Sequence, residues 1–70
     1  MLKPDYNIRL DEVSSSVSYV GKAAPAASET DTVWQIKKIV VTGTVTSITW
    51  ASGNGRFDKQ WSLRATYTYS

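Results

Sequence analysis

The sequence predicts an all-β fold, a small antiparallel sandwich or open barrel of about five short strands. Three observations lead there. Ser, Thr, Val and Tyr are abundant while leucine is confined to Leu2, Leu10 and Leu63; β-branched and aromatic residues suit a pleated surface, and helix formers are scarce. Apolar residues recur at every second position in several stretches, the period of a strand with one buried face. Glycine, asparagine and serine clusters separate those stretches as turns would.

The elements follow in chain order. Tyr6, Ile8 and Leu10 alternate with Asn7, Arg9 and Asp11 and read as a strand. Ser14-Ser15-Ser16 reads as a turn or an irregular edge, after which Val17, Tyr19 and Val20 resume extended structure and Gly21 closes it. Residues 22–32, KAAPAASETDT, hold no strand pattern; Pro25 and the alanines predict a surface excursion. Within it Ser28-Glu29-Thr30-Asp31 has the S-x-x-D form of a helix cap. No apolar face follows, so a single helical turn is the most expected there. Trp34 and Ile36 share one parity, Ile39 and Val41 the other, and a β-bulge at Lys37-Lys38 would turn both pairs inward. Thr42-Gly43-Thr44 is a turn in which glycine supplies a positive φ, and Ile48 and Trp50 continue the returning strand of a hairpin. Gly53-Asn54-Gly55 tolerates left-handed backbone, as a second hairpin loop requires. A final strand is predicted from Trp61, where Leu63, Ala65, Tyr67 and Tyr69 keep one parity and Ser62, Arg64, Thr66, Thr68 and Ser70 fill the gaps.

Seventy residues make a single domain, 1–70, with the loop excursion at 22–32. Its core is small, and small domains rely on disulfides, a structural metal or oligomerisation. The chain has no cysteine and no histidine. Disulfides are excluded, and zinc would lack both of its usual ligand types. Oligomerisation, or addition to a larger assembly, is the route left. Eight Lys and Arg against six Asp and Glu give a net charge of +2. Only Lys37-Lys38 are adjacent, so no basic stripe for nucleic acid forms. No apolar run approaches the roughly 20 residues of a membrane span. Met1-Leu2-Lys3-Pro4-Asp5 lacks the apolar segment of a secretion signal, so a chain made in a cytosol is expected.

The candidate sites have modest explanations beside their functional ones. Trp34, Trp50 and Trp61 lie in phase with aliphatic neighbours and are predicted to fill the core; the competing use is a stacking platform for sugars or bases. Tyr67 and Tyr69 extend the same face to the chain end, where they either continue the core or, with Arg64 on the opposite parity, form a candidate interface, since tyrosine is enriched where proteins meet. Arg64 has Asp58, Glu12 or a neighbouring subunit as partners. Asn54, Arg56 and Asp58 are candidate loop contacts. Gly53-Asn54-Gly55-Arg56 lacks the spacing of a phosphate loop, and no EF-hand pattern surrounds Asp58. Asp11 and Glu12 point to opposite faces of a strand, which separates them as an acid–base pair. Without histidine or cysteine, nucleophilic and metal-assisted catalysis lose their commonest groups. No catalytic, cofactor or metal residues are assigned, and an enzyme is not expected.

Two segments carry a further pattern, YVGKAAPAASETDTVWQIKKI at 19–39 and ITWASGNGRFDKQWSLRATYTY at 48–69. Tyr19, Gly21, Ala23, Trp34, Ile36, Lys38, Ile39, Trp50, Ala51, Gly53, Phe57, Asp58, Trp61, Arg64, Ala65 and Tyr67 hold its positions. The pattern resembles that of very small virion structural proteins of tailed bacteriophages. Where that family often has acidic residues after the third tryptophan, this chain has Ser62 and Leu63. The resemblance implies a head decoration or cement protein, or a neck, tail or fibre component. Its partners would be other copies of itself, as in a trimer, and other virion proteins. Its location would be the virion, after assembly in the host bacterial cytoplasm. It implies no catalytic residue. The alternative is a glycan-binding module of a phage adhesin, using aromatic rings around the 53–58 loop at a host surface. A nucleic-acid barrel gains nothing from the charge pattern.

Overall fold

The computed structural model describes residues 5–70; the stretch read for a secretion signal falls largely outside them. The chain is all-β. Four strands, β1 (Asn7–Glu12), β2 (Val17–Ala23), β3 (Gln35–Thr42) and β4 (Val45–Trp50), form one open antiparallel sheet in the order β1-β2-β3-β4. A six-residue 3-10 helix, Trp61–Thr66, follows.

Short connections fix the meander. Between β1 and β2, the Ser14 hydroxyl accepts from the backbone N–H of Ser16 and Val17, at 3.2 and 3.1 Å, a local bond that favours a turn over a continued strand. Between β3 and β4, Thr42 pairs with Val45, and Gly43 sits at φ +60° in the two-residue link. Glycine first is what one of the two common tight hairpin turns requires.

Gly21 does not end β2, as the sequence suggested; the strand runs on to Ala23. A methyl group at Gly21 would lie 2.6 Å from Trp61 Cζ3 and 3.1 Å from Trp34 Cε3. The glycine marks a close approach of backbone and ring, a known use of glycine inside strands.

Two further expectations are corrected. β3 pairs without interruption through Lys37 and Lys38 on both sides, so there is no bulge. The change of parity is real: Trp34 and Ile36 face one side of the sheet, Ile39 and Val41 the other. The final segment is not a ten-residue strand. Leu63 N–H donates to the Gln60 carbonyl and the Thr66 hydroxyl to the Leu63 carbonyl, winding residues 61–66 into the 3-10 helix. Only the chain end is extended: Ser52 N–H donates to the Thr68 carbonyl, while Trp50 and Ser70 exchange both backbone bonds. The loop at 53–55 accordingly leads to an isolated bridge between Trp34 and Lys59, not into a second hairpin.

The core lies between the sheet and this returning segment. Ala23, Trp34, Ile36, Ala51 and Trp61 are buried, with Tyr19, Ala27, Tyr67 and Tyr69 packed against them. Trp34 and Trp61 are tilted against each other at 5.9 Å, and Tyr19 against Tyr69 at 5.5 Å. Small residues on the sheet therefore meet large rings above it. The excursion starts later than the expected residue 22, after β2 ends at Ala23, and residues 24–32 form two turns with no helical turn. The Ser28 carbonyl accepts from Trp34 Nε1 at 2.9 Å, and Glu29 O from Ser62 N–H at 3.0 Å, which seals the other side of the rings.

Candidate interaction surface

Register separates the two faces of the sheet. Arg9, Gly21 and Ile36 stand side by side on the covered face; Leu10, Val20, Lys37 and Trp50 do so on the other. Since side chains alternate along every strand, the second face also carries Ile8, Ile39, Val41 and Ile48. No layer of this chain's described residues packs over it. Ile8 and Leu10 are 62 and 61 % exposed, and Ile48 is 53 % exposed. An antiparallel sheet often wets one face, but that face is then normally polar. Here it is a ladder of aliphatic side chains across four strands, the kind of contiguous patch that marks an interaction site.

Two lysines interrupt the ladder, as do Glu12, Ser18, Gln35 and Thr46, which share this face by register. Lys22 lies opposite Gln35 and Lys37 opposite Val20, so they are diagonal neighbours. Lys22 Nζ sits 4.5 Å above the Tyr6 ring and Lys37 Nζ 5.7 Å from the Trp50 ring, distances at which the ring quadrupole attracts a cation. The ion pairs among the described residues are Arg9–Glu29, Lys59–Asp58 and Arg64–Asp11, and neither lysine takes part. A cavity of about 140 Å³ opens between Ile8, Val20, Lys22, Gln35 and Lys37. At this end the 53–58 loop borders the face: Gln35 Nε2 donates to the Gly55 carbonyl at 2.8 Å, and Phe57 stacks on Tyr6 at 5.8 Å.

The sequence-derived site residues fall in three places. Trp34 and Trp61 are buried, but Trp50 is outside the core cluster. It belongs to the open face, because it pairs with Lys37 there. Tyr67 and Tyr69 continue the core, the first of the two uses open to them, and with Arg64 they make internal hydrogen bonds. The Tyr69 hydroxyl donates to the Arg64 carbonyl at 2.6 Å, and the Tyr67 hydroxyl accepts from Gln60 N–H at 2.8 Å. Arg64 Nε donates to Asp11 at 2.9 Å, and its guanidinium lies 4.6 Å over the Trp61 ring. Its partner is thus neither Asp58 nor Glu12. Burial pushes the Tyr69 hydroxyl up to about 12, reinforced by the Tyr19 and Tyr67 phenols and opposed by Arg64.

In the loop, Asn54 and Asp58 both engage Lys59, whose side chain is 7 % exposed. Asn54 Oδ1 also accepts from Arg56 N–H at 3.1 Å. This is a closed local network; the Arg56 residue itself is exposed. Asp58 is therefore a counter-ion of the loop.

The open face itself went unassigned by sequence reasoning. Its signal was present in the parity change between Trp34/Ile36 and Ile39/Val41, and in the alternation of Ile8 and Leu10 with Arg9 and Asp11. Both patterns suit a strand with a buried side, and neither says which element does the burying. Among the described residues no group of three or more Asp and Glu is placed to hold a metal, and no helix is long and apolar enough to cross a membrane. No family model, curated protein or solved structure matches the chain.

Proposed function

We propose that this protein is a structural subunit of a tailed-bacteriophage particle, a head decoration or a neck, tail or fibre component, acting by protein–protein assembly. The observation that supports this is the open face. Ile8, Leu10, Val20, Ile39, Val41 and Ile48 lie across four strands, while the opposite face has its own aromatic cover. Burial of apolar area drives most association, and a sheet with one unsealed apolar side gains it by resting on a neighbouring virion protein. The resemblance of residues 19–39 and 48–69 to small virion proteins supplies the setting. On this reading the protein has no catalytic role, and its copies are spaced by the particle they join.

The test is co-sedimentation of the purified chain with particles lacking it. Ile39→Glu and Leu10→Glu place charge on the open face without touching the aromatic core. Both variants are expected to keep the parent circular dichroism and to lose particle binding at least tenfold. A variant that binds as well as the parent would remove the reading.

One observation favours a second reading. The Trp50 ring lies on the open face, with its six-membered edge within 4 Å of where a side chain at Gly55 would begin. A half-buried indole beside a loop, with part of its ring open, suits the face of a sugar ring, as in a host-surface glycan-binding module. Trp50→Ala would then abolish retention on a glycan array with the circular dichroism unchanged.

A further inference from the structure

The sheet has two edges, and they differ. β1 carries Arg9, Asp11 and Glu12 within six residues; charges of this density discourage another strand from pairing. β4 carries Val, Thr, Ser, Ile, Thr and Trp. The whole stretch from Ile39 to Gly55 holds no charged residue. Such an edge, β-branched and uncharged, is a template for strand addition.

Half of this edge is already occupied. Trp50 N–H donates to Ser70 O at 3.1 Å, Ser70 N–H to Trp50 O at 3.2 Å, and Ser52 N–H to Thr68 O at 2.8 Å. Residues 68–70 thus start a fifth lane beside β4, antiparallel to it. In a ladder, alternate residues present their backbone groups to the same side. Trp50 points outward to this lane, whereas Ala51 N–H points inward to the Ile36 carbonyl. Ile48 and Thr46 therefore point outward too. Among the described residues nothing pairs with their N–H and C=O groups.

We infer that the vacant half of the lane, along Val45–Thr49, takes an extended, uncharged segment of a partner protein as an added strand, antiparallel to β4 and in line with Thr68–Ser70. The occupant is not β4 of a second copy. Paired antiparallel about Ser47, that strand would bring its Gly43–Thr44 turn to the place Ser70 holds. Sliding it clear of Ser70 would set Ile48 against the turn, leaving only a short pairing. An open-ended segment meets no such obstacle. Its side chains next to Ile48 join the apolar face, and those next to Ser47 and Thr49 meet hydroxyls. Alternating β-branched and hydroxyl residues fit both sides, and a charged strand would find no counter-ion on β4. This inference concerns the edge and stands apart from the particle assignment.

The experiment uses the full chain, labelled for amide hydrogen exchange, and an acetylated, amidated Thr-Val-Thr-Val-Thr peptide as the probe. Saturating peptide is expected to slow exchange at Thr46 and Ile48 at least tenfold and to leave β1 unaffected. Thr46→Pro removes one outward donor; proline is tolerated where an edge N–H faces solvent, so the fold should remain and the protection should vanish. Should that variant fail to fold, Ile48→Lys supplies the same block by charge. Unchanged exchange at both residues overturns the inference. So does protection that appears on β1 instead, or protection at Thr46 and Ile48 that rises with the protein's own concentration in the absence of peptide, which would make a second copy the occupant.

Discussion

Trp61 rests directly on Gly21, so closely that a single added methyl would lie 2.6 Å from the ring carbon Cζ3. The contact joins the returning segment to the middle of β2, and Trp34 closes on the same glycine from beside it. Gly21→Ala therefore overpacks the centre of the molecule. A loss of about 1–3 kcal/mol is expected, read as a lowered urea midpoint, with Gly21→Val worse than Gly21→Ala. An unchanged midpoint would mean that the indole is free to move off the sheet.

Arg64 is held by three groups: the Asp11 carboxylate, the Trp61 carbonyl at 3.1 Å and the Trp61 ring face. The ion pair is partly exposed, and by itself contributes no more than about 1 kcal/mol. Arg64→Ala is expected to cost more than Asp11→Ala, because it also uncovers the indole. A double-mutant cycle should give a coupling below the loss from Arg64→Ala alone. Arg64→Lys should not restore stability, since an ammonium cannot provide the planar stack and fork together.

Among the described residues Lys59 is the buried charge, and its ammonium meets Asn54 and Asp58. Removing both partners strands a cation among buried groups, whereas removing the cation does not. Asn54→Ala with Asp58→Ala should thus destabilise by about 3 kcal/mol, and Lys59→Met by clearly less. Thermal melts of the two variants in parallel decide it. Equal losses would show that the loop is held by its backbone.

Tyr69 links stability to alkaline pH. Its hydroxyl is raised from 10.0 to about 12, chiefly by burial, so the folded state keeps the proton longer than the unfolded chain does. Its contribution is complete below pH 10 and is lost as pH rises through about 12. Tyr69→Phe forfeits the bond to the Arg64 carbonyl and should cost about 1 kcal/mol at neutral pH. In urea titrations at increasing pH, the gap between parent and variant is expected to narrow across that window. A gap independent of pH would contradict the assignment.

The local pattern went far in specifying this protein and then stopped at a definite point. Extended structure at Ile8–Leu10, Val17–Val20, Ile36–Val41 and Ile48–Trp50 was legible, because period-two alternation and β-branched residues act through neighbours on the same strand. The turns at Ser14–Ser16 and Thr42–Thr44 were legible too, because serine hydroxyls and a glycine at positive φ act within a few residues. The side of the sheet that would be buried was not. Alternation defines two faces, and burial depends on which of them another element reaches. Here the Trp61–Tyr69 segment, whose own alternation mimics a strand, winds into a 3-10 helix and covers the face bearing Gly21, Ala23 and Ile36. The face bearing Ile8, Leu10 and Ile39 is left open. That choice also moved Trp50, expected inside, to the open face and left Tyr69 to continue the core. Contacts between residues as far apart as Gly21 and Trp61, or Asp11 and Arg64, made the decision, and only the folded chain brings those pairs together.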